Sequence, residues 1–180
     1  MGDCDIVMDL NKDPPRVRLN DARLVTIRPV LPSDLDALRA FFSALSRATL
    51  RFRFHTSINE LSENLLRAFT MVNDRAHVAL VAEINENIEN QSARLVAEAR
   101  FVLSADSETA EFALVVADNW RRVGLGTMLT RVLMQRARFM GVRRLCGDVL
   151  TDNKAMRGLA DSLGARLSLG GRTVRLSLEA

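Results

Sequence analysis

Arg121-Arg122-Val123-Gly124-Leu125-Gly126-Thr127 puts two arginines and two glycines at the start of a run with helical periodicity. Glycines there leave the first backbone N–H groups of the helix open, at the positive end of its dipole. Such a start binds anions. With two guanidinium groups beside it, the stretch suits a diphosphate, so a diphosphate-bearing cofactor is the expected ligand. Upstream, Glu111 stands in the run Glu111-Phe112-Ala113-Leu114-Val115-Val116. That run is apolar on both faces, which predicts a central, buried strand. A carboxylate there is costly unless it is bonded or functional. Desolvation would raise its pKa toward neutrality, the range a general base needs. The alternative is a structural glutamate bonded to a neighbouring arginine.

Two other phosphate motifs are excluded. A P-loop needs Gly-Lys-Ser/Thr, and that tripeptide is absent. A dinucleotide fingerprint needs a third glycine where Leu129 stands, and it follows its strand directly, whereas residues 117–123 intervene here. Asp148 does stand roughly where an acidic ribose-binding residue belongs. A helix start with convenient glycines is the alternative without chemistry. Besides His55 and His77, only Cys4 and Cys146 could ligate a soft metal, so no metal is expected. Acyl transfer through Cys146 would need a nearby base, and neither histidine is expected close to it. His55 reads as an ordinary loop histidine. Glu98 and Asp148 are weaker base candidates, better read as partners of surface arginines.

These residues need a scaffold. The chain of 180 residues is long enough for one domain with a real core. Residues 1–20 are polar, contain Pro14-Pro15 and read as a flexible arm, with the folded domain over 21–180. Residues 24–28 suggest a strand, and Ser33 with Asp36 a helix start. Leu35, Leu38, Phe41, Phe42 and Leu45 make one helical stripe, and Leu61, Leu65, Leu66 and Phe69 another. Between them, residues 50–55 alternate without a clear type. Residues 77–84, 95–103 and 109–116 read as strands of an antiparallel meander, with polar turns at 85–90 and 104–107. From Gly124 the period becomes helical, ending at Gly141. Residues 144–150 form another strand, Asn153 caps a short helix, and residues 165–178 close in a hairpin. The expected order is β-α-α-β-β-β-α-β-α-β-β.

Composition bounds the partners. A net charge of +3, with no basic run interleaved with aromatics, gives no sign of nucleic acid. No run approaches a membrane span, Asp3, Asp5 and Asp9 replace the basic start of a signal peptide, and a disulfide framework is not expected, so the cytoplasm is the expected compartment. The basic residues are 23 arginines and two lysines, Lys12 and Lys154. A GC-rich genome explains that ratio; avoidance of self-modification by a lysine-modifying enzyme is a second reading.

Arg121-x-x-Gly124-x-Gly126, together with this element order, Ile27-Arg28-Pro29 and Asn153, resembles the GNAT (Gcn5-related N-acetyltransferase) superfamily over roughly residues 22–178. The resemblance implies an α/β (α+β) fold: a mixed, mostly antiparallel central sheet flanked by helices and splayed between its fourth and fifth strands. Acetyl-CoA would enter at the splay as co-substrate. Backbone amides of Val123, Gly124, Gly126 and Thr127 would hold its diphosphate, with Arg121 and Arg122 nearby. The backbone of Leu114, Val115 and Val116 would pair with the pantetheine arm, one N–H polarising the thioester carbonyl. Asn153 would bond the pantetheine, cap its helix, or both. Trp120 is expected to pack beside the loop.

A narrower resemblance rests on residues 111–116, Asp118-x-Trp120, Gly124-Leu125-Gly126, the 50–54 stretch and Asn153-x-x-Met156. These are similar to the GNAT domain of bacterial protein lysine acetyltransferases that modify acyl-CoA synthetases. That subfamily implies Glu111 as general base. Many GNATs carry a tyrosine acid seven residues after the equivalent of Asn153; Ala160 stands there, and the chain has no tyrosine. Water or Ser162 would have to serve the leaving thiolate. The expected reaction is direct acetyl transfer to an amine, first a protein lysine. The alternatives are a small amine or protein N-terminus, or a non-catalytic acetyl-CoA-sensing module. Oligomeric state is open between monomer and dimer.

Overall fold

The computed structural model of the chain describes residues 14–72, 76–87 and 92–180. Among them run β1 (Arg16–Arg18), β2 (Leu24–Pro29), α1 (Leu35–Ser43), α2 (Arg47–Phe54), α3 (Glu63–Thr70), β3 (His77–Asn87), β4 (Ser92–Leu103), β5 (Thr109–Val116), α4 (Leu125–Phe139), β6 (Arg144–Leu150), α5 (Lys154–Ser162), β7 (Arg166–Gly170) and β8 (Thr173–Glu179). The strands form one sheet in the order β1-β2-β3-β4-β5-β6-β8-β7. Every neighbouring pair is antiparallel except β5 and β6.

Helices cover both faces. On one face α4 presents Leu125, Leu129, Leu133 and Ala137, spaced by four residues, to Val78, Leu80, Ala99, Phe101 and Phe112. On the other, α1 to α3 pack Leu38, Phe42, Leu66 and Phe69 against Ala79, Val81, Leu95 and Val115. Strand β3 is therefore buried on both sides, which is why its sequence is a continuous apolar run. In β4 the register slips at Val96, a bulge whose carbonyl accepts the Ala117 N–H at 2.9 Å and anchors the end of β5.

Strand β5 is the working edge of this scaffold. It pairs with β4 from Ala110 to Val116 but with β6 only at Thr109, Ala110 and Glu111. Beyond Glu111 the two strands part, so the expected splay is present; it falls between β5 and β6 rather than the fourth and fifth strands because β1 adds one strand at the start.

Three details depart from expectation. The 50–55 stretch belongs to helix α2, because Ser46 caps it through the Thr49 N–H at 3.2 Å and His55 ends it in the left-handed region at φ 59°. The first helix starts later than Ser33. Asp34, which accepts the Leu31 N–H at 2.7 Å and is bridged by Arg28, closes a 3₁₀ turn before it. Within the expected arm, Arg16–Arg18 forms β1 against β2. Residues 1–13 of the arm, with Cys4, and the tip of the 85–90 turn lie outside the described residues, while Leu19 of the arm is buried in the core.

Candidate active site

A cavity of about 790 Å³ opens where β5 and β6 part. Its walls come from β5, the loop before α4, the middle of β6, the start of α5 and the end of α2. Glu111, Leu114, Val115, Val116, Arg121, Arg122, Gly124, Gly126, Thr127 and Asn153 all line it. Val123 does not: its side chain packs on the α4 core, and its carbonyl accepts the Asn20 N–H at 3.1 Å.

At one end the cavity meets the start of α4. The first helical bond is the Met128 N–H to the Gly124 carbonyl, 3.0 Å. The N–H groups of Leu125, Gly126 and Thr127 precede it and have no partner among the described residues. Arg122 and Gly124 are both left-handed, at φ 60° and 86°, and turn the chain sharply into the helix. Gly126 also lies close to α5: a Cβ there would come within 2.9 Å of Leu159 Cδ1, the movable end of a side chain that would have to shift. Arg121, expected beside the diphosphate, is tied to the protein on three sides. Its Nε donates to the Val116 carbonyl at 3.3 Å, and its Nη atoms bond Thr49 Oγ1 and pair with Asp118.

The wall between is backbone. Residues along a strand alternate in the side to which their N–H and C=O point. Ala117 N–H points to β4, while the Phe112 carbonyl lies against Gly147 of β6. Leu114, two residues from Phe112, therefore turns its N–H and C=O into the opening, where no β6 residue pairs with it.

At the other end stands Glu111, and its surroundings correct the expectation of burial. Its side chain is 52% exposed. The apolar cover from α1 to α3 reaches Val115 on this face but not Glu111. Arg175 of β8 bonds Glu111 Oε2 at 2.9 Å and Asp148 Oδ2 at 3.1 Å. Burial works against the charge of Arg175, but the bond to Glu111 and the two carboxylate charges outweigh it and hold its pKa above the usual range.

Glu98 is corrected in the opposite sense. It is fully buried, and Arg100 and Arg53, its partners, are themselves largely buried. Asp148 has the arginine partner expected of it.

Comparison with known proteins decides the family. The Acetyltransferase (GNAT) domain profile matches residues 24–166. The chain belongs to the GNAT acetyltransferases. Acetyltransferase PA5475 of Pseudomonas aeruginosa is 34% identical over 146 residues, 81% of this chain and 77% of that protein. Acetyltransferase Pat of Mycolicibacterium smegmatis is 33% identical over 153 residues, 84% of this chain but only 44% of that protein. The chain thus spans less than half of that relative. Among solved structures, the GNAT domain of S. lividans PAT superimposes with a TM-score of 0.85 at 24% identity, covering 93% of this chain and 97% of that one. YncA of Salmonella typhimurium, a putative acetyltransferase solved with its cofactor acetyl-CoA, gives 0.66 at 20% identity over 87% and 92%. These likenesses confirm the GNAT fold.

As a GNAT enzyme, the chain is an acetyltransferase, and its family uses acetyl-CoA. The cavity fits that co-substrate: it is large enough for a small ligand, ends on open amides and has an unpaired strand along its side. Asn153 caps α5, its Oδ1 accepting the Met156 N–H at 3.1 Å, while also lining the cavity. Ala160 is buried on the core side of α5, and the Ser162 hydroxyl donates to the Leu159 carbonyl at 2.7 Å. Trp120 is buried in the core on the α4 side of the sheet, with the Arg23 guanidinium 3.7 Å from its ring centroid. His55 sits exposed on the cavity wall, and Cys146 is half-buried with Sγ 3.8 Å from Ser177 Oγ. Sequence reasoning missed Thr49, Arg175 and the tying role of Asp118. Asp118 accepts from the Ser46 N–H, Ser46 Oγ and Thr49 Oγ1 at 3.0, 3.0 and 2.7 Å. Its signal was the Asp-Asn-Trp turn, read as part of a motif rather than as a strut. Among the described residues no helix is long and apolar enough to cross a membrane.

Proposed function

We propose that this GNAT domain transfers acetyl from acetyl-CoA to a protonated primary amine, first a protein lysine side chain, with Glu111 as general base. The observation that carries this reading is the placement of Glu111. Its carboxylate stands on the cavity wall at the opposite end of the strand from the open amides of α4, with the unpaired Leu114 N–H between them. Acetyl-CoA, when bound, supplies the acetyl group as a thioester. The amides of Gly126 and Thr127 then face its diphosphate, with Arg122 beside them and Gly124 setting the turn. The splayed backbone of Leu114 to Val116 lies along the pantetheine, with Asn153 across the cavity. Leu114 N–H serves the carbonyl oxygen as negative charge gathers there. Arg121 acts by holding the loop through Thr49, Asp118 and Val116. Glu111 takes one proton from the acceptor ammonium and frees a nitrogen lone pair for the acetyl carbon. The carbon–sulfur bond breaks, the second proton shed by nitrogen neutralises the thiolate, and Glu111 returns its proton to solvent. The lysine acceptor is supported by the similarity to bacterial protein lysine acetyltransferases in residues 111–126.

The test is labelled acetyl transfer from acetyl-CoA into proteins of the host lysate, with wild type beside Glu111→Gln. Discrete labelled bands should weaken by about 10²- to 10⁴-fold in the variant, the usual span of general-base catalysis. Calorimetry should give acetyl-CoA affinity unchanged within twofold. Undiminished labelling by the variant would remove Glu111 from the base role, and labelling of small amines alone would remove the protein acceptor.

A further inference from the structure

The charges on the cavity wall do not all have partners. Its carboxylates are each held by an arginine: Glu111 and Asp148 by Arg175, and Asp152 by Arg51 at 2.8 Å. Two of its arginines are likewise engaged, Arg53 beside Glu98 and Arg121 beside Asp118. Arg122 and Lys154 line the same cavity, are exposed, and pair with no carboxylate among the described residues.

Strand direction places Lys154. Strands β5 and β6 run parallel, with Glu111 opposite Cys146, so both leave the sheet at the same end. There the chain after β5 turns into α4, and the chain after β6, which ends at Leu150, turns into α5 at Lys154. The two helices meet: a Cβ on Gly126 would lie 2.9 Å from Leu159 Cδ1. Lys154 precedes Leu159 by little more than one turn, about 7.5 Å along the helix axis. Its ammonium therefore belongs to the end of the cavity with the open amides of α4, away from the end with Glu111. Lys154 is one of two lysines in a chain with 23 arginines. An ammonium beside Glu111 would itself be an acceptor, whereas one at the α4 end is kept from the thioester.

Acetyl-CoA carries a diphosphate and, on its ribose, a 3′-phosphate. The amides of Gly126 and Thr127, with Arg122, serve the diphosphate. The 3′-phosphate is a monoester with a charge of about −1.5 to −2 at neutral pH. A lysine suits such a solvated group, being a point charge on a flexible stem.

We propose that Lys154 binds the 3′-phosphate of CoA, so that the enzyme discriminates CoA thioesters from those lacking that phosphate. The inference rests on acetyl-CoA filling this cavity with its diphosphate at α4; it needs neither Glu111 as base nor a lysine acceptor. The test is calorimetry with CoA and with 3′-dephospho-CoA. Wild type should bind CoA about fivefold more tightly, the upper range for one exposed ion pair. High salt should shrink that preference. Lys154→Gln should bind both ligands with the wild-type affinity for 3′-dephospho-CoA, and Lys154→Arg should keep the preference. Lys154 is exposed and first in its helix, a place where glutamine is well tolerated, so the fold survives.

A Lys154→Gln protein that still prefers CoA as strongly as wild type would overturn the proposal. So would an equal loss for both ligands, which would put the ammonium on the diphosphate. Gly126→Val tells failure of the proposal from failure of its premise. That variant should weaken both ligands alike; if both bind as before, the cavity is not the cofactor site, and the proposal falls with it.

Discussion

Glu98 and Glu111 stand on neighbouring strands and project from the same face of the sheet, yet their settings are opposite. Glu98 pairs with Val115 and Glu111 with Val102, so the two lie at opposite ends of one short stretch of the β4–β5 ladder. Glu98 has no exposed side-chain surface, and its Oε2 has no hydrogen-bond partner within the protein. Arg100 bonds its other oxygen, and Arg53 lies 3.7 Å away. Glu111 is half exposed beside Arg175. The difference lies in what covers the sheet. Helices α1 to α3 close over Glu98, whereas at Glu111 the parting strands leave the face open. A carboxylate's chemistry here is set by the helix above it more than by its neighbours in the chain.

The contrast should be plainest in stability. Glu98→Ala leaves two arginines without their buried counter-charge and is expected to cost about 3–5 kcal/mol. Glu111→Ala breaks a half-exposed pair and should cost under about 1 kcal/mol. Urea denaturation of the two variants checks this, and equal losses would break the comparison. On the cofactor side, Gly126→Val should fill the mouth of α4. A rise in the acetyl-CoA dissociation constant of tenfold or more is expected by calorimetry, about 1.4 kcal/mol. Since the nearest contact is the movable end of Leu159, the fold should survive. Unchanged affinity would detach the loop from the cofactor.

Smaller effects sharpen the picture. Asp118→Ala removes three hydrogen bonds that tie the start of α2 to the loop and should cost about 1–2 kcal/mol. Thermal denaturation reads it, and a neutral result would show that the tie is not needed for folding. Asp118 is partly desolvated, which raises its pKa. Bonds from Ser46 and Thr49 and the charge of Arg121 outweigh this and hold it below the ordinary carboxylate value. Its stabilisation is therefore present above about pH 4 and lost as pH falls through the lowered value. His77 gives the smallest effect. Burial, and then the nearby Arg100 charge, push its pKa down against the opposing pull of Glu98. The unfolded chain thus binds the proton more readily, so stability should fall slightly as pH drops below about 6.5, the ordinary histidine value. Glu98→Gln should steepen that slope, and a slope unchanged or shallower would uncouple the histidine from the buried cluster.

How far the sequence could be read follows the same division. The glycine-loop half of the cavity is local: glycines, helical period and cap lie within a few residues of one another, so the loop, α4, β6 and the Asn153 cap could be read directly. The end of the cavity around Glu111, and the ties of Arg121, join distant residues. Arg175 reaches Glu111 across 64 positions, and Arg121 reaches Thr49 across 72. No periodicity encodes those meetings. The burial of Glu111 was misjudged because an apolar strand predicts two covered faces, whereas cover depends on where the helices end. Helix α2 was obscured because Arg51 and Arg53 alternate with Phe52 and Phe54, a strand-like pattern that the Ser46 cap overrides.

The struts from α2 to the loop carry one last consequence. Thr49 bonds both Asp118 and Arg121, and Phe52 and Arg53 of the same short helix line the cavity. One short helix thus touches both the loop before α4 and the cavity wall, a route by which ordering of one could restrain the other. Any such coupling is reciprocal by thermodynamic necessity. Whatever factor one substrate adds to the affinity of its partner, the partner returns, and the order in which the two arrive cannot change the energy of the filled site.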